Sequence, residues 1–184
     1  MAVGAAVIDA TRSRKRVPAG LRDSKLVPEA RRPDVAARAA AFVQASAVGW
    51  ASSEEIDEIG IIRALGLAAV RAIADLRAHG IVPEEALVIL DGNHDYISPA
   101  GESGLRVRPI VKADRDCASA AAASVIAKVA RDTVMTGLHD DLPAYGWARN
   151  KGYASLDHRD AIREHGMSRH HRHSWAIAAA PTLF

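Results

Sequence analysis

Residues 86–90 read A-L-V-I-L, five apolar residues with no polar one between them, and the run stops at Asp91-Gly92-Asn93. An apolar run of this length bounded by turn residues reads as a buried strand. Residues 3–8 form a second short apolar run with β-branched ends and read the same way. Buried strands need helices to cover them, and the chain supplies these. Ile62, Leu65, Ala69, Ile73 and Leu76 are spaced by 3, 4, 4 and 3, one apolar stripe on a helix that Gly80 can close. A second helix is expected over about 119–138, where a run of alanines lets the backbone approach a sheet closely. A third is expected from Ser155, a good N-cap, to Gly166, a good terminator. Between Leu105 and Val111, leucine, arginine, valine and arginine alternate before Pro109, which suggests a strand near a sheet edge, and residues 48–52 suggest another strand. Residues 99–104 form a polar loop. With 184 residues and no repeat or flexible linker, the chain is expected to be one α/β domain over residues 1–184, with a basic helical end over 145–184.

Several classes fall away on composition. Hydrophobic residues are 49% and charged residues 25% of the chain, ordinary values for a globular protein. No stretch approaches the ~18 apolar residues that a membrane span needs. The opening segment places its basic residues after its apolar ones, the reverse of a secretory signal. Cys117 is the only cysteine, so no internal disulfide can form, and a reducing, cytoplasmic setting is expected. The net charge of +2 is too small to prove a nucleic-acid partner, but basic groups crowd at 12–16, at Arg31 and Arg32, and over 149–172. A polyanion can be met there, and a solvated basic face is the ordinary alternative.

Two acids carry the strongest chemical signal. Asp91 follows ALVIL and Asp114 follows PIVKA, each at a strand end, where α/β proteins present reactive groups. If the two strands are neighbours, the carboxylates come within reach of one metal, and hard oxygen ligands select Mg²⁺ or Mn²⁺. Two acids are too few for two ions. The structural alternative is that they begin turns, or that Asp114 or Asp116 caps the alanine-rich helix. On that helix Ser124, Lys128 and Arg131 share one face, either a phosphate-binding surface or a polar stripe with Asp132 as charge partner. Asp23-Ser24-Lys25 reads as a turn or a phosphate contact. Tyr153, within Lys151-Gly152-Tyr153, is one of few aromatic residues, and a ring among basic groups can stack on a sugar or base or pack beneath a loop. His170, His171 and His173 are too crowded, and too far from any cysteine, for a closed zinc site, and read as basic, nucleic-acid-facing or solvated groups. Cys117 reads as a small buried core residue.

In order and spacing these pieces resemble bacterial ribonuclease HII over nearly the whole chain. Asp23-Ser24-Lys25 is similar to the family's D-S-K, and Leu90-Asp91-Gly92-Asn93 to its V-D-G-N. Lys112-Ala113-Asp114 with residues 121–132 resembles K-G-D…A-A-S-I-L-A-K-V-x-R-D. Tyr145-Gly146 and Lys151-Gly152-Tyr153 with Ser155 and His158 resemble Y-G…K-G-Y-x-T-x-x-H, and residues 171–175 resemble H-R-R-S-F. The resemblance implies an RNase H-like mixed sheet flanked by helices. It implies cleavage of the RNA strand of RNA–DNA hybrids, and of single ribonucleotides embedded in DNA, by a monomer that uses two divalent ions, Mn²⁺ or Mg²⁺, on four carboxylates. Asp91 and Asp114 would be the third and fourth. Tyr153 would stack on the deoxyribose after the ribonucleotide, and Ser24, Lys25, Lys112, Ser124, Lys128, Arg131 and Lys151 would meet the nucleic acid. Products would carry a 5′-phosphate and a 3′-hydroxyl.

The family's opening strand G-V-D-E-x-G-R-G, with the first two carboxylates, has no match here, and residues 1–8 align with the strand that follows it. Ala113, Ser155, His173 and Trp175 are smaller departures that keep size and polarity. Three readings follow: a ribonuclease HII whose start is placed too late, which we prefer; a shortened paralogue that binds nucleic acid without cutting it; and an unrelated metal phosphohydrolase. The gap-free spacing of the long motif argues against the last, and the coding DNA upstream of Met1 separates the other two. Residues 1–184 alone are expected to be poorly soluble or molten and inactive, because unpaired strand edges and half a ligand set would remain.

Overall fold

The computed structural model describes residues 1–175, and residues 176–184 of the expected basic end lie outside them. Strand β1 (Ala2–Val7) pairs antiparallel with β2 (Ala45–Trp50) in the register Ala2↔Trp50 to Val7↔Ala45. Strand β3 (Leu87–Asp91) pairs in parallel with β4 (Arg106–Ile110) from Leu87↔Arg106 to Asp91↔Ile110. The expected mixture of strand directions is present, but among the described residues it is split into two two-stranded sheets.

Helices hold the two sheets together. Helix α1 (Arg32–Phe42) comes before β2; α2 (Ser53–Ile59) and α3 (Ile61–Ala78) lie between β2 and β3. A short α4 (Ala113–Asp116) and the long α5 (Ala118–Asp141) follow β4, and α6 (Trp147–Asn150) and α7 (Leu156–His165) complete the described chain. Ala64 and Ala68 of α3 pack with Val3, while Ala69 and Ile73 of the same helix pack with Leu90 and Val88, so α3 spans both sheets. The small residues permit very close approach. A Cβ on Gly49 would lie 1.8 Å from the carbonyl oxygen of Ala68, and one on Gly4 would lie 2.3 Å from that of Ala123 in α5. On its other side α5 meets α1, where Val35, Ala39 and Val43 pack with Ala122 and Val125.

Several expectations need correction. The strand expected at 48–52 begins at Ala45 and ends at Trp50, because Ser52 caps α2: its side chain accepts from the N–H of Glu55 while Glu55 reaches back to the N–H of Ser52. Ile62 belongs to α3 but is 51% exposed; Ala69, Ile73 and Leu76 of the expected stripe are buried, and the buried face widens to include Ala64, Ala68 and Ala72. Strand β1 is half-buried along its whole length rather than enclosed, and Leu87 of β3 is 52% exposed. Cys117 is no core residue. It is partly exposed, forms the extended N-cap of α5, and lies 3.1 Å from Ser119 Oγ, so neither Asp114 nor Asp116 caps that helix. Ser155 and Gly166 do bound α7, the serine side chain accepting from His158 N–H and the glycine turning at φ +76°.

Candidate active site

Parallel pairing of β3 with β4 brings Asp91 and the turn after Ile110 side by side. Lys112 takes a left-handed conformation at φ 60° and turns the chain directly into α4, where Asp114 is the second residue. The N–H of Ala113 donates to Asp91 Oδ1 at 2.8 Å, which fixes that carboxylate at the mouth of α4. Asp91 is exposed and Asp114 is 8% exposed. Burial raises the pKa of Asp114 above the usual carboxylate range, and the negative charges of Asp91 and Asp23 raise it further, partly offset by Lys25. Only Asp91 is at a strand end: β4 stops at Ile110 and the left-handed turn at Lys112 puts Asp114 in α4, yet the two acids share one electrostatic neighbourhood. Asp23 joins it from far away in sequence, a contribution the sequence reading assigned only to a turn or a phosphate contact.

The D-S-K turn reaches this place through Ser24. Asp23 Oδ1 accepts from Lys25 N–H at 2.9 Å and shapes the turn, while buried Ser24 accepts from Ser124 Oγ at 2.9 Å and its N–H reaches the same oxygen at 3.3 Å. Ser124 is thus a strut between turn and helix. One turn further along α5, Lys128 and Arg131 both bond to Asp132, the latter at 3.2 Å, and Arg32 lies 3.7 Å from the same carboxylate. Asp132 is indeed their charge partner, yet the face still presents cations: Lys128 Nζ and the Arg131 guanidinium lie 5.7 and 5.2 Å from the ring centroid of Tyr153.

Tyr153 is 60% exposed, which excludes its packing beneath a loop. Lys151 and Gly152 take consecutive left-handed conformations, at φ 49° and 78°, and Gly152 N–H is received by Asn150 Oδ1 at 2.7 Å. These turns project the ring outward. The Lys151 side chain is held by Ala148 O and, at 3.1 Å, by Thr136 Oγ1, so in this state it braces the turn. Lys25 and Lys112 are exposed, as a phosphate contact requires.

The turn rests on a cluster that sequence reasoning missed. Trp147 stacks on Tyr145 with ring centroids 5.1 Å apart, and His158 stacks on His171 at 5.3 Å. His158 Nδ1 donates to Tyr145 O at 2.9 Å. His171 is 5% exposed, which corrects its reading as a solvated or nucleic-acid-facing group; His173 is exposed and His170 half-buried. Burial, and then the nearby His158, lower the pKa of His171 to about 4. His171 is therefore neutral in the folded state, while the unfolded chain takes up a proton below about pH 6.5. Its contribution to stability is present above that pH and is lost on acidification from about 6.5 toward 4. We expect the denaturant midpoint to fall over this window and the fall to flatten in His171→Asn; an unchanged pH profile in the variant would assign the loss to other groups.

The acids meet the donor requirement of a hard divalent ion. Mg²⁺ is commonly held by one or two carboxylates, with water and substrate phosphate completing its shell. Among the described residues no group of three or more His, Cys, Asp or Glu side chains could hold a metal, so Asp91 and Asp114 fit as part of a ligand set. No described helix is long and apolar enough to cross a membrane.

Comparison with known proteins bears on the family and the fold. The family model described as Ribonuclease HII matches residues 1–178. The Ribonuclease HII of Streptomyces coelicolor is 45% identical over 166 residues, which cover 90% of this chain and 67% of the relative. That of Cereibacter sphaeroides (strain ATCC 17025) is 45% identical over 160 residues, 87% of this chain and 71% of the relative. Among solved structures, the PCNA:RNase HII complex from Archaeoglobus fulgidus matches with a TM-score of 0.69 at 22% identity, covering 95% of this chain and 86% of that one. Bst-RNase HIII in complex with Mn²⁺ matches with a TM-score of 0.70 at 23% identity, covering 96% and 62%. The structural matches bear out the RNase H-like fold, and the relatives' shared name is that of an enzyme, which speaks against both a non-cleaving paralogue and an unrelated phosphohydrolase. With the family model spanning nearly every residue and relatives at 45% identity, the chain belongs to the ribonuclease HII family, whose members are endoribonucleases.

Proposed function

We propose that the chain hydrolyses the RNA strand of RNA–DNA hybrids, and the DNA-linked strand at single embedded ribonucleotides, with Mn²⁺ or Mg²⁺ held in part by Asp91 and Asp114. The observation that carries this reading is the acid pair at the end of β3 beside a cationic helix face and an exposed tyrosine. In this reading the chain acts as a monomer. A single partly exposed cysteine fits a reducing cytoplasm, and the substrate fits a role in DNA replication and repair.

A divalent ion bound to these oxygens would supply Lewis-acid polarisation of the scissile phosphate and a water of lowered pKa. Ala113 N–H keeps Asp91 from rotating away from that position. Asp114, pressed toward protonation by burial and by Asp91 and Asp23, is stabilised as a carboxylate by a nearby positive charge. Lys25, Lys112, Lys128 and Arg131 attract the sugar–phosphate backbone, a contribution that weakens with salt. Tyr153 offers a flat face to a sugar, so the RNA-to-DNA junction is sensed by shape and by the 2′-hydroxyl. Hydrolysis would leave a 5′-phosphate and a 3′-hydroxyl.

Tyr153→Ala is expected to slow cleavage at a single embedded ribonucleotide about fivefold or more, given ~1–3 kcal/mol per stacked ring, while weakening duplex binding much less. Cleavage rate and binding measured together at fixed salt test this. Equal losses in both would show the ring to be a binding group only. The overall reading is tested by divalent-ion-dependent cleavage of a labelled hybrid, with single-stranded RNA as control.

A further inference from the structure

Residues 8–22, the return from β1 to the D-S-K turn, hold the cations Arg12, Arg14, Lys15, Arg16 and Arg22 and a single acid, Asp9. That acid is already engaged. Its carboxylate accepts from Arg12 N–H at 2.6 Å and from the Arg12 guanidinium at 2.7 Å. Ser13 N–H donates to Asp9 O and Lys15 N–H to Arg12 O, both at 2.9 Å, and wind Arg12–Arg14 into a 3₁₀ turn. The loop is therefore braced where its charge is concentrated. Arg14, Lys15 and Arg16 are consecutive and exposed, and among the described residues none of the three has an acid within ion-pair distance. Other surface arginines are matched: Arg38 faces Asp34, Arg71 faces Glu55, and Arg77 lies between Glu84 and Glu102. A solvated surface intersperses the two signs in that way. Three adjacent unmatched cations instead repel one another and set up a field that attracts a polyanion.

Strand β1 carries the chain away from the acids before the loop brings it back. Val3 packs in the same cluster as Leu90, the neighbour of Asp91, whereas Val7 packs with Leu76 and with Ile81, which leads toward the start of β3. At the extended rise of ~3.3 Å per residue, the steps from Val3 to Asp9 set the loop about 20 Å from Asp91. On the return, Leu21 packs with Val35 and Ala39 of α1, and Asp23 then lies beside Asp114. The stretch from Arg16 to Asp23 spans at most ~25 Å. A duplex rises ~3.4 Å per base step, so a separation of about 20–25 Å corresponds to about six or seven base pairs. Arg22 and Lys25, both exposed, continue the cationic line from the loop to the acids.

We propose that Arg14, Lys15 and Arg16 form a second phosphate-binding surface, which grips the backbone of a nucleic-acid duplex about six or seven base pairs to one side of Asp91 and Asp114. The proposal deepens the function proposed above and rests on it in one respect, that a duplex lies over those acids. Guanidinium and ammonium groups on a loop meet phosphate oxygens and carry no base reading, so the grip is independent of sequence and weakens with salt. Val17 is the loop's one exposed large apolar side chain and the loop has no aromatic ring, which leaves little for a lipid surface to take up.

The test compares the full chain with two triple variants. Arg14→Gln, Lys15→Gln and Arg16→Gln together remove the charges, and Arg14→Lys, Lys15→Arg and Arg16→Lys together keep them. Binding of a labelled duplex of about 24 base pairs with one central ribonucleotide is measured without divalent ions between about 50 and 200 mM salt. With two or three phosphate contacts fewer, the affinity of the glutamine variant is expected to fall about 10- to 40-fold less over that range than that of the unsubstituted chain. At saturating protein, its hydroxyl-radical footprint should lose protection about six or seven base pairs from the ribonucleotide on one side and keep it at the ribonucleotide. Its kcat with Mn²⁺ should be unchanged while KM rises, and the charge-keeping variant should match the unsubstituted chain throughout. An unchanged salt dependence in the glutamine variant, an equal change in the charge-keeping variant, loss of the footprint as a whole, or no duplex binding by any of the three chains would each overturn the proposal. So would weaker binding of the glutamine variant to phosphatidylglycerol vesicles with unaltered duplex binding, which would make a membrane the loop's partner. No cleavage by the unsubstituted chain, with the salt dependence still reduced by the glutamines, would sink the function proposed above and support the second surface.

Discussion

Asp91→Asn is expected to lower the rate of hybrid cleavage, measured with Mn²⁺ saturating, by at least ~100-fold, equivalent to about 3 kcal/mol of transition-state stabilisation. The fold should be spared for a specific reason. Asparagine keeps the oxygen that accepts from Ala113 N–H, so the junction of β3 and α4 stays closed. The variant loses only a negative charge, and that charge sits beside Asp114, whose pKa it raises. Removing it relieves a repulsion, so the melting temperature should hold or rise slightly while activity collapses. A variant that cuts at near-normal rate would remove Asp91 from the site, and one that unfolds would make its role structural.

The largest expected loss of stability comes from Trp147→Ala. Trp147 is 1% exposed and packs with Tyr145, Ala161 and Ile162, with His171 5.4 Å from its ring. Emptying such a site costs about 3–5 kcal/mol, a large part of the ~5–15 kcal/mol that holds a domain of this size. Urea unfolding followed at the α6–α7 cluster should show a lower midpoint. The same substitution alters the first residue of α6, whose last residue, Asn150, receives Gly152 N–H and donates to Tyr145 O at 2.8 Å. Tyr153 should thus lose its fixed position before the domain melts. A loss below about 1 kcal/mol would mean that the cluster collapses onto the gap.

What could be read in advance followed local physics. Residues 86–90 announced β3 because an unbroken apolar run bounded by turn residues favours a strand, although only Leu90 of it is buried, and Ser155 with Gly166 announced α7 because they satisfy helix ends. Helix α2 was missed although Ser52 and Glu55 form a capping box, because the preceding apolar residues drew the strand boundary two residues too far. Helix α1 carries a weaker signal: Pro33 near its start, Asp34 paired with Arg38, and alanines that show no stripe. In the site, Asp91 was visible as a strand end, whereas Asp114, read the same way, lies in α4 because the chain turns at Lys112. The proximity of Asp23 was not, because it depends on Ser24 meeting Ser124 one hundred residues away, a contact that no spacing rule encodes. His171 misled for a related reason, since its burial comes from stacking on His158 rather than from any neighbour in sequence.

The way α3 bridges the sheets has a consequence for cooperativity. β1 with β2 and β3 with β4 share packed helix faces but no ladder of backbone hydrogen bonds, and apolar contact through alanines is a weaker coupling than a continuous sheet. The chain is therefore built as two subglobular units with separate opening free energies, and urea should release the β3–β4 unit, where Leu87 is already open to solvent, at a lower concentration than the β1–β2 unit.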